Sequence, residues 1–307
     1  MNPEVHVKNF RWEQLPTLTE LFSKISEEAQ LGESERELAL SSWQLYHELN
    51  QPDLFPESDI FIAWEGSEML GYALLNREPA LSRAVFRIET PRQVRNRGIS
   101  NKLLDATIAH TKHLGLSVQQ IDIPANNNSD RELVESHGFR HIRTHWHLQR
   151  TATERATTNI PTIYMMRLMN PHEVQELTNL QNEVFTGSWG FAPNTSEQIQ
   201  YSIFQLDPDP HQVVIIEHEG NWIGYCWTHH ERGSRDGMIN MVGVHPAHQG
   251  KGLGKAVTAL GVNLLLHKGC ELIDITVDSL NEPGIRAYKS VGFELKWESH
   301  WYELTVN

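Results

Sequence analysis

Cysteine is almost absent from this chain. Its 307 residues include two cysteines, Cys226 and Cys270. Two cysteines exclude a disulfide framework and any metal site made of cysteine alone, and they fit a reducing cytoplasm. The seventeen histidines follow no HExxH-like spacing, so no metal site is predicted. The first ten residues, MNPEVHVKNF, lack the basic and apolar segments of a signal peptide, so we expect a cytoplasmic protein.

Long apolar runs and positive charge are also missing. No apolar run reaches the 18 residues of a membrane span, so no membrane partner is expected. The formal net charge of -13 argues against a general affinity for nucleic acid. Apolar residues make up 39% of the chain and charged residues 21%, which is typical of a globular protein. Nothing in the sequence indicates the oligomeric state.

What the chain does contain is an internal repeat. Four landmarks recur in the same order at offsets of 153 to 155 residues: Gly71-Tyr72 as Gly224-Tyr225, Gly98 as Gly252, Gly138-Phe139 as Gly292-Phe293, and HWH at 145 as HWY at 300. Four ordered matches predict two copies of one domain, residues 1–152 and 153–307. The polar segment TATERATTNIP, residues 151–161, reads as the linker.

The second copy alternates strand and helix signals. After a short strand and two helical stretches come the strand candidates VVIIE at 213–217, 222–229 and 238–244. A helix then follows, with Leu253, Val257, Leu260 and Leu264 at helical spacing, and the strand IDITV alternates apolar and polar residues. Hairpins followed by a strand–helix–strand unit predict an α/β (α+β) fold, in each copy a mixed, mainly antiparallel sheet flanked by helices.

The stretch HQGKGLGK, residues 248–255, places three glycines between a strand end and a helix start. A helix N-terminus offers free N–H groups that suit an anion, and glycine lets the backbone come close to it. The spacing fails the GxxxxGK[ST] pattern of a Walker loop and the GxGxxG pattern of a Rossmann fold. A loop that merely turns tightly is the alternative interpretation.

Two motifs fit a known pattern. VHPAHQGKGLG at 244–254 resembles the Val-x-Pro and Arg/Gln-x-x-Gly-x-Gly/Ala pyrophosphate loop of the GNAT superfamily of acyl-CoA-dependent N-acyltransferases. NEPGIRAYKSVGF at 281–293 resembles the same family's Asn-x-x-Gly-x-x-x-Tyr-x-x-x-Gly-Phe element. The resemblance covers residues 160–307 and, more weakly, residues 1–150, and the tandem arrangement is similar to mycothiol synthase and its relatives. Met238 and Thr276 depart from that group, which normally has Glu and Tyr there.

The resemblance implies acetyl-CoA as the acyl donor and a set of residues that hold it. Backbone N–H groups of the glycine loop would face the pyrophosphate, the Val-Gly-Val strand would lie along the pantetheine arm, and a strand N–H would polarise the thioester carbonyl. Lys251 and Lys255 either add positive charge or are simply solvated, and Arg286 reaches phosphate or solvent. The implied cofactor-binding residues are Val242, Gly243, Val244, Gln249, Gly250, Lys251, Gly252, Leu253, Gly254, Lys255, Asn281 and Arg286.

Tyr288 is the catalytic residue that the resemblance implies. A phenol is a hydrogen donor whose pKa lies not far above that of a thiol, so it suits protonation of the leaving thiolate. The alternative is a helix tyrosine that only packs beneath Gly292-Phe293. Asn240 is a candidate to face the acceptor, and Trp189 and Phe191 either wall the acceptor pocket or cap a core. The general base stays open among Glu183, Glu217, His229, His230, Asp236 and His245, and a water chain to a distant carboxylate would also serve.

The function that the resemblance implies is acetyl transfer from acetyl-CoA to the primary amine of a small molecule, directly and in the second copy. Two alternatives stay open. The acceptor is the N-terminus or a lysine of a peptide, or the chain is a non-catalytic acyl-CoA-binding module.

The first copy is expected not to catalyse. Its glycine loop keeps one glycine, and Val134 stands where Tyr288 does. Valine neither donates nor accepts a proton. A weaker second cofactor site is expected at Arg95, Asn96, Arg97, Gly98, Ile99 and Ser100.

Overall fold

The computed structural model describes residues 4–29, 42–158, 160–204, 212–230 and 235–306. The chain forms two compact units. The first contains Met1–Ile142 and His300–Asn307, and the second contains Arg143–Ser299. Among the described residues, no helix has both the length and the apolar character needed to cross a membrane.

The first unit takes its elements mainly from the first half of the chain. In chain order they are β1 (Val5–Asn9), α1 (Leu15–Ala29), α2 (Ser42–Leu49), α3 (Pro56–Asp59), β2 (Ile60–Glu65), β3 (Glu68–Glu78), β4 (Arg83–Glu89), α4 (Ile99–His113), β5 (Val118–Pro124), α5 (Asn128–Ser136) and the start of β6 (Arg140–Thr151). Strands β1 to β4 pair antiparallel in order, and β4 pairs parallel with β5.

The second unit repeats this plan. Its elements are β7 (Met165–Leu168), α6 (Val174–Phe185), α7 (Ser196–Phe204), β8 (Val213–His218), β9 (Asn221–His230), β10 (Asp236–Val244), α8 (Leu253–His267), β11 (Leu272–Asp278), α9 (Glu282–Ser290) and β12 (Glu294–Thr305). Strands β7 to β10 pair antiparallel, β10 pairs parallel with β11, and β11 pairs antiparallel with β6. The predicted mixed, mainly antiparallel sheet with flanking helices is confirmed.

Apolar clusters cover both faces of the second unit's sheet. One cluster joins α8 and α9 to β9, β10 and β11, with Val257, Ile239 and Ile275 among its members. The other joins α6 and α7 to β8 and β9. A Cβ on Gly261 of α8 would overlap the Sγ atom of Cys226, so glycine is required where this helix approaches the sheet.

The last strand differs from the expected division of the chain. The predicted boundary at residues 152 and 153 leaves residues 143–152 in the first copy and β12 wholly in the second. In the structure, residues 143–152 belong to the second unit and residues 300–307 to the first. Tyr302 is 3% exposed and joins the first unit's core with Ile121 and Phe139. The backbone N–H of Val306 donates to the carbonyl of Ser117 at 2.8 Å. Burial of these side chains fixes the end of the chain in the first unit.

Candidate active site

Strands β10 and β11 separate partway along their length. Their parallel ladder runs from the Asp236–Leu272 pair to the Ile239–Ile275 pair. Strand β10 then continues to Val244, paired on its other edge with β9, and β11 continues to Asp278. Within the described part of the chain, no strand pairs with β10 across the resulting gap. Backbone groups of residues 242–244 are therefore available at an open strand edge, where an extended ligand can bind.

A β-bulge lies where this gap begins. Opposite β9, Ile239 pairs with Thr228 and Met241 pairs with Trp227, so Asn240 is the extra residue. Asn240 is exposed. A bulge turns the strand and frees backbone groups from the ladder, which suits a strand that must present N–H groups to a ligand.

The glycine loop follows β10 directly. A single 3₁₀ turn, Pro246–His248, leads into it, and the amide of Gln249 donates to the carbonyl of Val244 at 3.0 Å. Gly250 and Gly252 have φ angles of +75° and +79°, which favour glycine strongly, and Gly252 is the N-cap of α8. The first turn of α8 thus begins with free N–H groups next to the end of β10.

The remaining loop residues take different places. Leu253 is buried in the core, whereas Lys251 and Lys255 are exposed, and Lys251 donates to the carbonyl of Ala247 at 3.3 Å. Gly254 lies within α8 and has no positive φ. A Cβ there would meet the Cβ of Ala287 at 4.0 Å, an ordinary contact. Glycine is therefore not required here by the backbone conformation. Its effect is to leave space beside the first turn of α8.

Helix α9 carries the second motif. The Oδ1 atom of Asn281 accepts the N–H of Gly284 at 3.0 Å and so caps the helix. Tyr288 is 8% exposed and lies in the core cluster with Val244 and Leu253, against which Val242 also packs. Burial raises the pKa of Tyr288, so its hydroxyl remains protonated at neutral pH. Arg286 is exposed and pairs with Glu282 at 3.1 Å.

Two of the proposed bases are bonded to each other. The Nε2 atom of His245 lies 2.8 Å from Oε1 of Glu183, at the end of β10. Glu217 pairs with Arg167 at 2.7 Å. His229 lies opposite Met238 in the sheet, and the other candidates, His230 and Asp236, stand at the adjoining ends of β9 and β10. The structure thus scatters the six candidates rather than gathering them at one point.

On β6 and β11, the sheet face opposite α8 carries polar side chains. Alternate residues of β11 are buried under α8, so Asp274, Thr276 and Asp278 lie on the other face. Their partners on β6 are polar as well: Asp274 pairs with Gln149, Thr276 with His147 and Asp278 with His145. We call these six residues the polar face: Gln149, His147, His145, Asp274, Thr276 and Asp278.

His147 is held in the centre of the polar face. Its Nδ1 atom lies 3.0 Å from the hydroxyl of Thr276, its Nε2 atom lies 2.9 Å from the hydroxyl of Ser299, and its ring stacks on Trp297 with 3.4 Å between centroids. Burial, followed by the nearby His145, lowers the pKa of His147 to about 3. The imidazole is therefore neutral at physiological pH.

Trp189, in the loop after α6, lies beside this face. The guanidinium of Arg143 lies 5.0 Å from the Trp189 ring, and the His145 ring lies 5.7 Å from it. Phe191 instead packs against Phe185 at 5.3 Å, next to the core. Of the two predicted aromatic walls, Trp189 contacts the polar face.

Asp274 is a residue that sequence reasoning did not select. Its Oδ1 atom accepts a hydrogen bond from Nε2 of Gln149 at 2.9 Å. Burial raises the pKa of Asp274 to about 6, and the negative charge of Asp236 adds to this shift. The signal in the sequence was the alternation of IDITVD, which places Asp274 on the polar side of its strand.

The corresponding region of the first unit is built differently. Strands β4 and β5 also separate, after the Val85–Gln120 pair, but the β3–β4 register is continuous, without a bulge. Gly98, with φ of +71°, is the N-cap of α4. Val134 is buried in the first unit's core, at the place on α5 that Tyr288 has on α9.

Three described side chains of the expected second cofactor site are bonded or buried. Arg97 forms an ion pair with Glu65, and Ile99 is fully buried. The hydroxyl of Ser100 lies 3.5 Å from that of Thr90. The side chains of Arg95 and Asn96 lie outside the described residues.

These features define a class of protein. The model of the "Acetyltransferase (GNAT) family" matches residues 16–139 and 174–293, and the chain belongs to that family. It is an N-acetyltransferase with two GNAT regions in tandem, and GNAT acetyltransferases generally use acetyl-CoA. Among the described residues, no three His, Cys, Asp or Glu side chains come together as metal ligands.

Particular relatives are similar over most of the chain. A mycothiol acetyltransferase from Thermobispora bispora is 28% identical over 247 residues, 76% of this chain and 79% of its own length. One from Thermobifida fusca is 29% identical over 233 residues, 67% of this chain and 70% of its own.

Solved structures share the fold. A GCN5-related N-acetyltransferase from Sphaerobacter thermophilus has a TM-score of 0.75 at 18% identity and covers 100% of this chain and 98% of its own. A tandem GNAT protein from the clavulanic acid biosynthesis pathway has a TM-score of 0.76 at 14% identity, with 99% of each chain covered.

Proposed function

We propose that the second unit transfers an acetyl group from acetyl-CoA directly to the primary amine of a small molecule. The observation that carries this proposal is the gap between β10 and β11, which opens at a β-bulge and ends at the glycine loop. The gap is lined by backbone along one edge and closed by a helix N-terminus. An extended thioester with a pyrophosphate group matches both features.

The cofactor is held mainly by backbone. N–H groups from Gln249 to Gly254 bind the pyrophosphate, while residues 242–244 of β10 bind the pantetheine arm. Lys251 and Lys255 are exposed beside the loop and add positive charge. Asn281 hydrogen-bonds the arm through the part of its amide that does not cap α9. Arg286 stands on the exposed side of α9 and contributes charge near the phosphates.

Catalysis requires stabilisation of the carbonyl oxygen and of the leaving sulfur. The N–H of Val242 or Val244 donates to the thioester oxygen as charge develops on it. Tyr288 donates its proton to the thiolate. The buried phenol is still protonated when the amine attacks, and the thiol it produces has an ordinary pKa near 8.5.

The acceptor binds over the polar face. His145, Thr276 and Asp278 offer polar groups there, and Trp189 stands beside them. The relatives named mycothiol acetyltransferases support a small acceptor. The first unit does not catalyse, because Val134 replaces the acid and its β4 lacks the bulge.

The test is a panel of acceptors with the intact chain. Release of free thiol from acetyl-CoA is followed with each acceptor in turn. The acceptors are small primary amines, amino sugars, polyamines, and peptides that carry a free N-terminus or lysine. Mass spectrometry identifies each product. We expect an N-acetylated small amine. Acetylation of peptides alone would contradict the small-molecule acceptor, and tight acetyl-CoA binding without turnover on any amine would indicate a non-catalytic module.

A further inference from the structure

Asp274 stands at the point where the sheet opens. It pairs with Met238 in the β10–β11 ladder, and the next pair, Ile239–Ile275, is the last. Its neighbours Ile273 and Ile275 are buried under α8, so the carboxylate lies on the polar face. A carboxylate is thus placed one residue pair before the gap, beside the bulge at Asn240.

The surroundings of this carboxylate leave one oxygen available. Within the described part of the chain, Gln149 is the hydrogen-bond donor to Oδ1 of Asp274, and Oδ2 has no protein partner. The charged groups that act on it are Asp236 on the neighbouring strand β10 and Lys296 on β12, the strand beyond β6. Burial and Asp236 favour the protonated form, while Gln149 and Lys296 favour the charged form.

We propose that Oδ2 of Asp274 is the proton acceptor for the acetylation reaction and takes the proton that the acceptor ammonium loses, directly or through one water. This assignment rests on the proposed function. The proposed base therefore lies on β11, opposite Met238 of β10. The side chain of Met238 cannot itself accept a proton.

The other carboxylates near the sheet are less suited to this role. Glu183 is exposed and bonded to His245, just after the C-terminal end of β10. Glu217 forms an ion pair with Arg167. An ion pair with arginine favours the charged carboxylate and lowers its basicity. Among the residues that the structure describes, no cation forms an ion pair with Asp274. Its pKa of about 6 makes it a stronger base than an ordinary aspartate, whose pKa is about 3.9.

The proton balance is complete without another reactant. Asp274 takes one proton from R–NH₃⁺, and the nitrogen lone pair forms the C–N bond at the thioester carbon. The C–S bond then breaks, and the sulfur takes the proton of Tyr288. The nitrogen loses its second proton, which returns through solvent to the Tyr288 oxygen. Asp274 releases its proton to water, so one proton leaves per turnover.

A cavity lies beside Gln149, the residue that is bonded to Asp274. Gln149 and Lys296 line a cavity of about 350 Å³ together with Arg150, Gly292 and Glu294. Since Gln149 is bonded to Asp274, water in this cavity is one side chain away from the carboxylate. Asp274 is itself partly exposed, so the proton that it collects can leave to solvent directly.

The test is Asp274→Asn in the full chain, with an amine that the wild type acetylates. Asparagine keeps the shape and the Gln149 contact but is not a base. We expect kcat to fall by about 10²-fold or more, the usual scale for a positioned base, with unchanged acetyl-CoA affinity by calorimetry. The loss should shrink with an acceptor of low pKa, such as a hydroxylamine ether, which is already neutral at pH 7.

Two further variants move the pH profile without removing the base. Asp236→Asn removes a charge that favours the protonated carboxyl, so the acidic limb of kcat/KM should shift to lower pH. Lys296→Met removes the opposite charge, so the limb should shift to higher pH. A purely structural Asp274 would show neither shift.

The outcomes separate this proposal from the proposed function. A wild-type chain that acetylates an amine, together with an Asp274→Asn variant that retains kcat and the acidic limb, overturns Asp274 alone. A wild-type chain that acetylates no amine overturns the proposed function, and the base with it.

Discussion

His245 and Glu183 are joined by a bond of 2.8 Å between Nε2 and Oε1, while Nδ1 of His245 accepts the N–H of Ala247 at 3.2 Å. The imidazole therefore carries its proton on Nε2 and links the end of β10 to the end of α6. Both residues were candidates for the base from sequence, but here they act on each other and on the start of the glycine loop.

We expect Glu183→Gln to keep kcat within about threefold of the wild type, since an exposed pair of this kind contributes about 0–1 kcal/mol. A base would cost about 10²-fold. Steady-state kinetics with a saturating amine measures kcat. A large drop in kcat would show that Glu183 acts in catalysis and would make it a candidate base again.

The glycine loop is tested by Gly254→Val. The nearest atom to a new Cβ is 4.0 Å away, so the fold should tolerate the change, while the side chain would occupy the space of the pyrophosphate. Acetyl-CoA binding should weaken about tenfold or more, equivalent to about 1.4 kcal/mol. Calorimetry measures the affinity, and circular dichroism checks the fold. An unchanged affinity in a folded variant would remove this loop from the cofactor site.

Tyr288→Phe keeps the buried ring and removes the proton donor. Turnover should fall about 10²-fold with little change in acetyl-CoA affinity. Tyr302→Phe, at a buried tyrosine of the first unit, is the matched control and should keep full turnover. Full turnover of Tyr288→Phe with an acceptor whose chemical step limits the rate would contradict the assignment.

Asp274 also predicts a pH-dependent stability. Its pKa of about 6 in the folded chain lies above the reference of about 3.9 in an unfolded one. The folded state therefore binds more protons between these values, and the wild type loses stability as the pH rises from about 4 to 6. Asp274→Asn should be more stable than the wild type at pH 8, by roughly 1–2 kcal/mol after allowance for partial exposure.

Urea unfolding at pH 8 and pH 4 measures this difference. The gain of Asp274→Asn should vanish at pH 4, because both proteins then carry a neutral side chain there. An equal gain at both pH values would mean that the charge of Asp274 is not the cause.

The first unit should add no second active site. The intact chain should bind one acetyl-CoA tightly by calorimetry, and Val134→Tyr should not restore turnover in a Tyr288→Phe chain. The reason is that a hydroxyl alone supplies neither the bulge nor the second positive-φ glycine of the second unit. Restored turnover would show that the first unit needs only an acid.

The repeated landmarks predicted the fold well because each has a local physical cause. Gly98 and Gly252 both start a helix at positive φ, and Asn127 and Asn281 both cap one. Such requirements are visible in one residue at one position. The strand and loop that we propose to hold the cofactor carry local signals of the same kind.

The base and the acceptor site could not be predicted in this way. Asp274 is defined by its pairing with Met238 and Gln149, which are 36 and 125 residues away in sequence. The bulge at Asn240 depends on the β9 register rather than on a glycine or proline. The pattern of apolar and polar residues in β12 does not show that residues 300–307 belong to the first unit.

The place of residues 300–307 in the first unit has a consequence for folding during synthesis. The ribosome synthesises all of Arg143–Ser299 before it adds residues 300–307, which contain the first unit's part of the strand beside β5. At about 5–20 residues per second this interval is roughly 10–30 s, during which the edge of β5 has no partner from its own unit. The first unit therefore closes after the second has been translated. A stop codon that removes only the last eight residues damages the half of the protein made first.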